Sequence, residues 1–359
     1  IVNIQTNERD DGQIDVFLGG DTFVNGNITR ELETVPNATI DPDFPGLLQV
    51  QFADNGFAAN INDGELFGAL QMRDVEIPKL KDEIDTLASG FIRAINRIHN
   101  QGNGLEGISG TLSSTNLVND PFDALTLQDL PYPITDGTFD VIVYDNMGNV
   151  VSTTTLPVTA TGSPAIQTDL TAMQLNINSI PNITGGQTPD GALTITAAPG
   201  FSFSFANDTS GVLTALGLNG LFTGSDAGSI DLSQHLEDHP EWLSGAFSTD
   251  PAETGDNTAA LAMAAIRDAE ILEGDTQTVN DFFEASIAKL GINAEANLDR
   301  LSVEEAFVRD FDRRRQEIYG VNLDEEVTLL VQYQRAFEAA ARLITVTDNM
   351  LGTLVNIVR

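Results

Sequence analysis

From Asn322 to Val358 the chain carries one amphipathic repeat 37 residues long, and nothing adjacent in the sequence offers it a matching apolar face. Apolar positions recur at spacings of four and three: Leu323, Val327, Leu330, Phe337, Ala341 and Ile344, then Leu351, Leu354 and Val358, with Gln334 and Asp348 as polar interruptions. That period is a coiled-coil seam. Asn322 followed three residues later by Glu325 has the spacing of a capping box, and Gly320 is placed to end whatever precedes it. A helix of this length would run roughly 54 Å at 1.5 Å per residue, too long to lie across one small domain. A lone helix in water is marginal, whereas burying eight apolar side chains would contribute about 12 to 24 kcal/mol gross. Periodicity alone leaves two readings open: an ordinary core helix, or a surface completed by another helix. The nine apolar positions are the candidate assembly interface.

Charge narrows the partners. The chain has 53 acidic and 17 basic residues, a formal net charge of −36, and not one Lys or Arg in the 169 positions between Arg97 and Arg267. Neutralising phosphates needs basic side chains, so neither nucleic acid nor an anionic membrane surface is expected as a partner. The acidity reads equally as an outward solvated surface or as a salt-adapted composition. With no cysteine there are no disulfides, thiolate nucleophiles or Cys metal ligands. No apolar run approaches the length of a membrane span.

The expected fold class is α+β and multidomain: an elongated helical bundle with an amino-terminal β-hairpin region and an inserted β-rich domain. Residues 1–64 form the hairpin region, with Ile4 and Thr6 alternating before the turn at Asp10, Asp11 and Gly12, and Ile14, Val16 and Leu18 after it. A helical rod domain takes 65–107 and 231–320. Its first helix is expected over 74–100, with Ile77, Leu80, Ile84, Leu87, Phe91, Ile95 and Ile98 on one face and Pro78 tolerated near the start. A long helix is expected over 278–319, with Phe283, Ile287, Leu290, Ala294, Leu298, Leu301, Val308, Phe311 and Ile318 as its buried side and Gly291 as a possible kink. Residues 108–230 are the inserted domain, with a hairpin from Phe139–Val143 to Val151–Thr155 and a second pair joined at Pro199 and Gly200. Residues 321–359 are the terminal coiled-coil assembly helix.

Several patterns imitate chemistry. Gly102, Gly104 and Gly107 match a dinucleotide-binding spacing, but they follow a helix instead of a strand, which makes them a helix-ending loop. His235 and His239 lie four apart around Glu237, without the zinc-protease order, and read as solvated histidines. Asp10, Asp11 and Asp15 surround a turn glycine, with Arg9 where a calcium loop would need an acid. Arg313, Arg314 and Arg315 beside Asp310 and Asp312 suit a solvated helix face with local ion pairs. Trp242 is expected to anchor packing. These patterns give no catalytic residue, no cofactor and no metal site.

The run Tyr333, Gln334, Arg335, Ala336, Phe337, Ala339 and Ala340, followed by Arg342, Ile344, Asp348, Met350 and Leu351, resembles the carboxy-terminal helix of bacterial flagellar axial proteins, the rod, hook and hook-associated family. Residues 255–268 (GDNTAALAMAAIRD), the group Leu323, Asp324, Glu325 and Glu326 after a long helix, the passage 67–80, and the stretch from 216 to 226 resemble the hook-associated branch at the hook–filament junction. The resemblance implies a non-enzymatic structural subunit, exported by the flagellar secretion system and assembled outside the cell. It would sit in a ring of identical subunits between the hook protein and the next hook-associated protein. Family members pair the terminal helix with an amino-terminal one; this chain opens in a β-like passage, so a longer protein is expected. The alternatives are a related hook or rod protein, whose body would be mainly β, and a secreted acidic hydrolase or carbohydrate-binding protein, which would need a deep pocket with convergent carboxylates.

Overall fold

A computed structural model describes residues 2–41, 44–247, 255–319 and 323–357. The chain divides into two compact units, Ile1–Ser286 and Ile287–Arg359, with the boundary inside a helix.

The first unit begins with a four-stranded meander of β1 (Ile4–Glu8), β2 (Ile14–Leu18), β3 (Asp21–Asn25) and β4 (Ile28–Thr29), then a hairpin of β5 (Leu32–Pro36) and β6 (Leu48–Phe52). The expected first hairpin is present, with Thr6 opposite Val16 and Glu8 opposite Ile14. Gly12 turns it at a φ of 80°, in the left-handed region that a side chain disfavours. Arg9 closes it through Asp15 at 2.7 Å, and Asp11 accepts from the Gln13 amide, so these acids serve the turn. Leu18, Phe52 and Ile61 form a small core against which Leu66, Phe67 and Leu70 of the next helix pack. Arg30 lies over the Phe52 ring at 3.8 Å while paired to Asp54, whose carboxyl it holds below the usual carboxylate range.

The helix expected from residue 74 starts earlier. α1 (Gly64–Gln71) is capped by Asp63, which accepts from the Gly64 amide, and runs through a π-helical turn at Met72–Glu76 into α2 (Ile77–His99). The π turn is the physical reason that Pro78 is tolerated. A proline inside an α-helix collides with the carbonyl four residues back, and a wider turn immediately upstream relieves that collision. The apolar face of α2 changes character along its length. Ile77, Leu80 and Ile84 are exposed, whereas Leu87, Phe91, Ile95 and Ile98 enter a core with Ile266, Ile271, Leu272 and Phe282.

The stretch that follows comprises β7 (Thr111–Ser113), β8 (Gly137–Asp145), β9 (Val150–Val158), α3 (Leu170–Asn178), β10 (Ile183–Gln187), β11 (Leu193–Ala197), β12 (Phe201–Ala206) and α4 (Val212–Leu216). The β8–β9 hairpin is as expected. The second expected pair is not: β11 belongs to a β10-β11-β7 sheet and β12 to a β12-β8-β9 sheet, so Pro199 and Gly200 cross between sheets. The core between them contains Phe139, Phe203 and Phe205, arranged edge to face, with Leu112, Leu170, Met173, Ile177 and Trp242. Trp242 is thus the expected packing anchor.

The chain returns through α5 (Gln234–Asp238) and α6 (Thr258–Ala265) to α7 (Val279–Tyr319) and α8 (Leu323–Ile357). α7 is unbroken through Gly291. Its expected buried side is a correction. Phe283, Ile287, Leu290, Ala294, Leu298, Leu301, Val308 and Phe311 are exposed, and the Ile318 side chain lies outside the described residues. Phe282 is buried in a core and Val279 packs against it, both in the first turn of the helix. The stripe has helical period but no cover within the described chain. Arg313 and Arg314 pair with Asp310, as expected for a solvated face.

Candidate assembly surface

α8 is one continuous helix, so the spacing of its residues translates directly into faces. Asp324, Glu325 and Glu326 occupy its first turn, where carboxylates favour the positive end of the helix dipole. Every described side chain from 324 to 354 is exposed. Of the expected interface residues, Val327, Leu330, Phe337, Ile344 and Leu351 are 55 to 76 % exposed, and Ala341 is exposed with them. Leu323 lies in the helix without a described side chain; Val358, Asn322 and Gly320 lie outside the described residues.

A second apolar stripe, with only Leu354 among the expected interface positions, runs beside the first. Leu329, Tyr333, Ala336, Ala340, Leu343, Thr347, Met350 and Leu354 also alternate by four and three, and their large side chains are 42 to 72 % exposed. Leu354 belongs to this stripe by spacing. One residue of offset rotates it about 100° from the first, so the two are neighbours and together cover nearly half the helix circumference. Gln332, Arg335, Glu338, Arg342 and Asn349 occupy the opposite side. The signal was available in the periodicity.

The residues that imitate catalytic motifs serve the fold. A Cβ on Gly104 would lie 2.2 Å from the Glu241 carbonyl oxygen and 2.7 Å from the Trp242 carbonyl carbon, and one on Gly102 would meet the Ser244 Cβ at 2.7 Å. The glycine spacing therefore admits the 241–246 segment against the end of α2. His235 bonds the Ser113 carbonyl at 3.2 Å, while His239 stacks on Trp242 at 4.0 Å and bonds Glu241 at 2.9 Å. Each imidazole has its own structural partner.

His99 carried no spacing signal, yet it is the fully buried joint of the first unit. Its Nδ1 lies 2.7 Å from the Asn219 carbonyl, and the Ser244 amide donates to Nε2 at 3.1 Å. The carbonyl needs a donor and the amide an acceptor, which fixes the neutral tautomer with the proton on Nδ1. Burial lowers its pKa below the ordinary imidazole value, opposed by the Asn219 carbonyl. Beside it, Asn96 bonds the Phe222 backbone in both directions, at 2.8 and 2.9 Å. Together these contacts tie the 219–222 and 244 segments to the end of α2.

An open groove of about 550 Å³ lies between α2, the 131–133 segment and the 271–274 turn. Asp85 accepts from the Ala227 amide and Arg93 donates to the Ile271 carbonyl, so these polar groups hold the surrounding chain.

The comparisons agree with the two ends of the chain. The family model described as the flagellar hook-associated protein FlgK helical domain matches residues 1–112, and that described as the flagellar basal body rod FlgEFG protein C-terminal matches 314–357. The chain is 34 % identical to flagellar hook-associated protein 1 of Bacillus subtilis over 36 % of its length and 25 % of that protein. It is 24 % identical to the proteins of the same name from Salmonella typhimurium and Escherichia coli, over 99 % of its own length and 62 % and 61 % of theirs. It therefore spans about three-fifths of these two relatives, which are longer. The solved flagellar hook junction protein FlgK from Burkholderia pseudomallei overlays 88 % of this chain and 75 % of its own with a TM-score of 0.41 and 14 % identity, too loose a fit to bear on the fold. The matches at the two ends and the similarity along the chain place its likeness with the flagellar hook-associated protein 1 proteins.

Proposed function

We propose that this chain is a structural subunit joining the hook of the bacterial flagellum to its filament, acting by self-assembly and not by catalysis. The observation that carries the mechanism is the exposed apolar surface of α8, with its two adjacent stripes. Water makes such a surface costly in isolation, and helical partners at the seam period cover it most completely. Two stripes about 100° apart suit a helix that contacts two neighbours, as in the wall of a ring or tube, better than a helix in a two-stranded coil. The exposed faces of α7 and of the first half of α2 supply further rod contacts of the same kind.

In this reading the partners are identical subunits in a ring, the hook protein on one side and the next hook-associated protein on the other. The subunit is exported by the flagellar secretion system and works outside the cell. Residues 65–107 and 231–320 act as the rod, 108–230 as a solvent-facing insertion, and 321–359 as the assembly helix. Leu323, Val327, Leu330, Phe337, Ala341, Ile344, Leu351, Leu354 and Val358 are its contact positions. The test is a deletion of 321–359: the first unit stays folded, while the protein fails to enter the appendage and filament attachment is lost. Normal incorporation of the deleted form refutes the assignment.

A further inference from the structure

The acidity of the chain is not spread evenly. Residues 1–286 hold 41 acidic and 8 basic side chains, a net −33, whereas residues 287–359 hold 12 and 9, a net −3. Within the apolar stretch of α8, from Val327 to Leu354, Arg335 and Arg342 balance Glu338 and Asp348. Only Asp348 of these four lies on the apolar stripes, so the surface that would touch a second copy is nearly free of charge, while the first unit is strongly anionic. A salt-adapted composition alone gives no reason for the exposed flanks of α7 and α8 to escape the excess of acid.

We propose that self-association of this chain is controlled by ionic strength: the apolar faces of α8 supply the attraction, and mutual repulsion of the acidic units sets a threshold that dissolved cations must screen. This rests on the assembly reading above, with a second copy of the chain as the partner. The sign follows from where the charges lie. An interface held by ion pairs weakens as salt rises, because salt screens the attraction. Here salt screens only repulsion, since the contact stripes carry a single charge, Asp348, and no cation for an ion pair. The range of that repulsion falls from about 30 Å at 0.01 M to about 8 Å at 0.15 M and 3 Å at 1 M. Neighbouring acidic units are thus decoupled across the ordinary physiological range.

The acids that matter can be neutralised without touching the fold. Glu106, Asp123, Asp129, Glu237 and Glu270 are exposed and accept no hydrogen bond among the described residues. The experiment is sedimentation of the whole chain at 0.02 to 0.5 M sodium chloride, alongside the isosteric variant E106Q/D123N/D129N/E237Q/E270Q, with circular dichroism confirming that both are folded. The wild-type apparent dissociation constant should fall by about tenfold or more over that range, as expected for a repulsion whose screening length shrinks several-fold. The variant should associate at lower salt with a shallower dependence. Association that weakens with salt, or does not change, overturns the proposal while leaving the assembly reading intact. Equal slopes for both proteins would mean ordinary salting-out of apolar surface, and also overturn it. No association at any salt overturns both.

Discussion

Replacing Ile344 and Leu351 together by aspartate strikes the first α8 stripe without altering the rest of the chain. The two side chains are 69 and 55 % exposed in the isolated chain, so more than half of their burial is left for a partner to supply. Full burial of such a side chain is worth about 1.5 to 3 kcal/mol, so the pair forfeits about 2 to 4 kcal/mol of association free energy. The new carboxylates must also lose water or bind protons in a packed seam, at a further cost of at least about 2 kcal/mol each. A total of roughly 6 kcal/mol corresponds to about ten-thousand-fold weaker association. Sedimentation velocity of I344D/L351D against wild type measures this, with T345D as control, because Thr345 lies off both stripes. The double variant should remain monomeric at concentrations where wild type and T345D associate. If it associates like wild type, or if T345D is equally damaging, the stripe is not the contact.

Other consequences can be checked separately. Met350→Asp in the second stripe should weaken association on its own, by at least about a hundredfold, because that face meets a different neighbour; if only first-stripe variants matter, α8 has one partner. His99 has a folded-state pKa below its ordinary value of about 6.5, so above that pH its contribution is complete. As pH falls below about 6.5 the unfolded chain takes up the proton first, and stability should drop by up to about 1.4 kcal/mol per unit until the folded value is reached. The melting temperature of wild type relative to H99Q, followed from pH 7.5 to 5, reports this, and parallel curves would refute it. Gly104→Ala should destabilise the first unit by about 2 kcal/mol or more, since its Cβ meets backbone, whereas Gly291→Ala on the open surface of α7 should stabilise that helix by about 0.5 to 1 kcal/mol. Thermal melts of the two variants distinguish them, and similar effects from both would contradict the packing described at the end of α2.

What the sequence displayed and what it hid follow one physical division. Local signals were legible: the Asp11–Gly12 turn, the β8–β9 alternation and the full extent of α8 all depend on residues close in sequence. Pairings decided at a distance were not. Pro199 and Gly200 have the chemistry of a hairpin turn, yet β11 pairs with β10 and with β7, just over eighty residues away, and β12 with β8, about sixty residues away. Pro78 drew the expected start of the helix towards itself, because a π turn leaves no mark in composition. Periodicity shows which face of a helix is apolar but not what covers it, so the α7 stripe read as buried when its described side chains are bare. His99 is the clearest omission. A single histidine has no spacing to notice, and its role exists only where Asn219 and Ser244 converge on it.

The chain contains no cysteine, so one introduced at Ile344 or at Glu338 reports its surroundings without background. The rate of maleimide modification at these two positions, measured in dilute protein and again after assembly, tests directly whether the apolar face of α8 is bare alone and covered in company. Both positions should react readily in dilute solution, and assembly should slow position 344 at least about tenfold while leaving position 338 unchanged. Protection of position 344 already in the dilute monomer, or unchanged reactivity after assembly, would contradict the account.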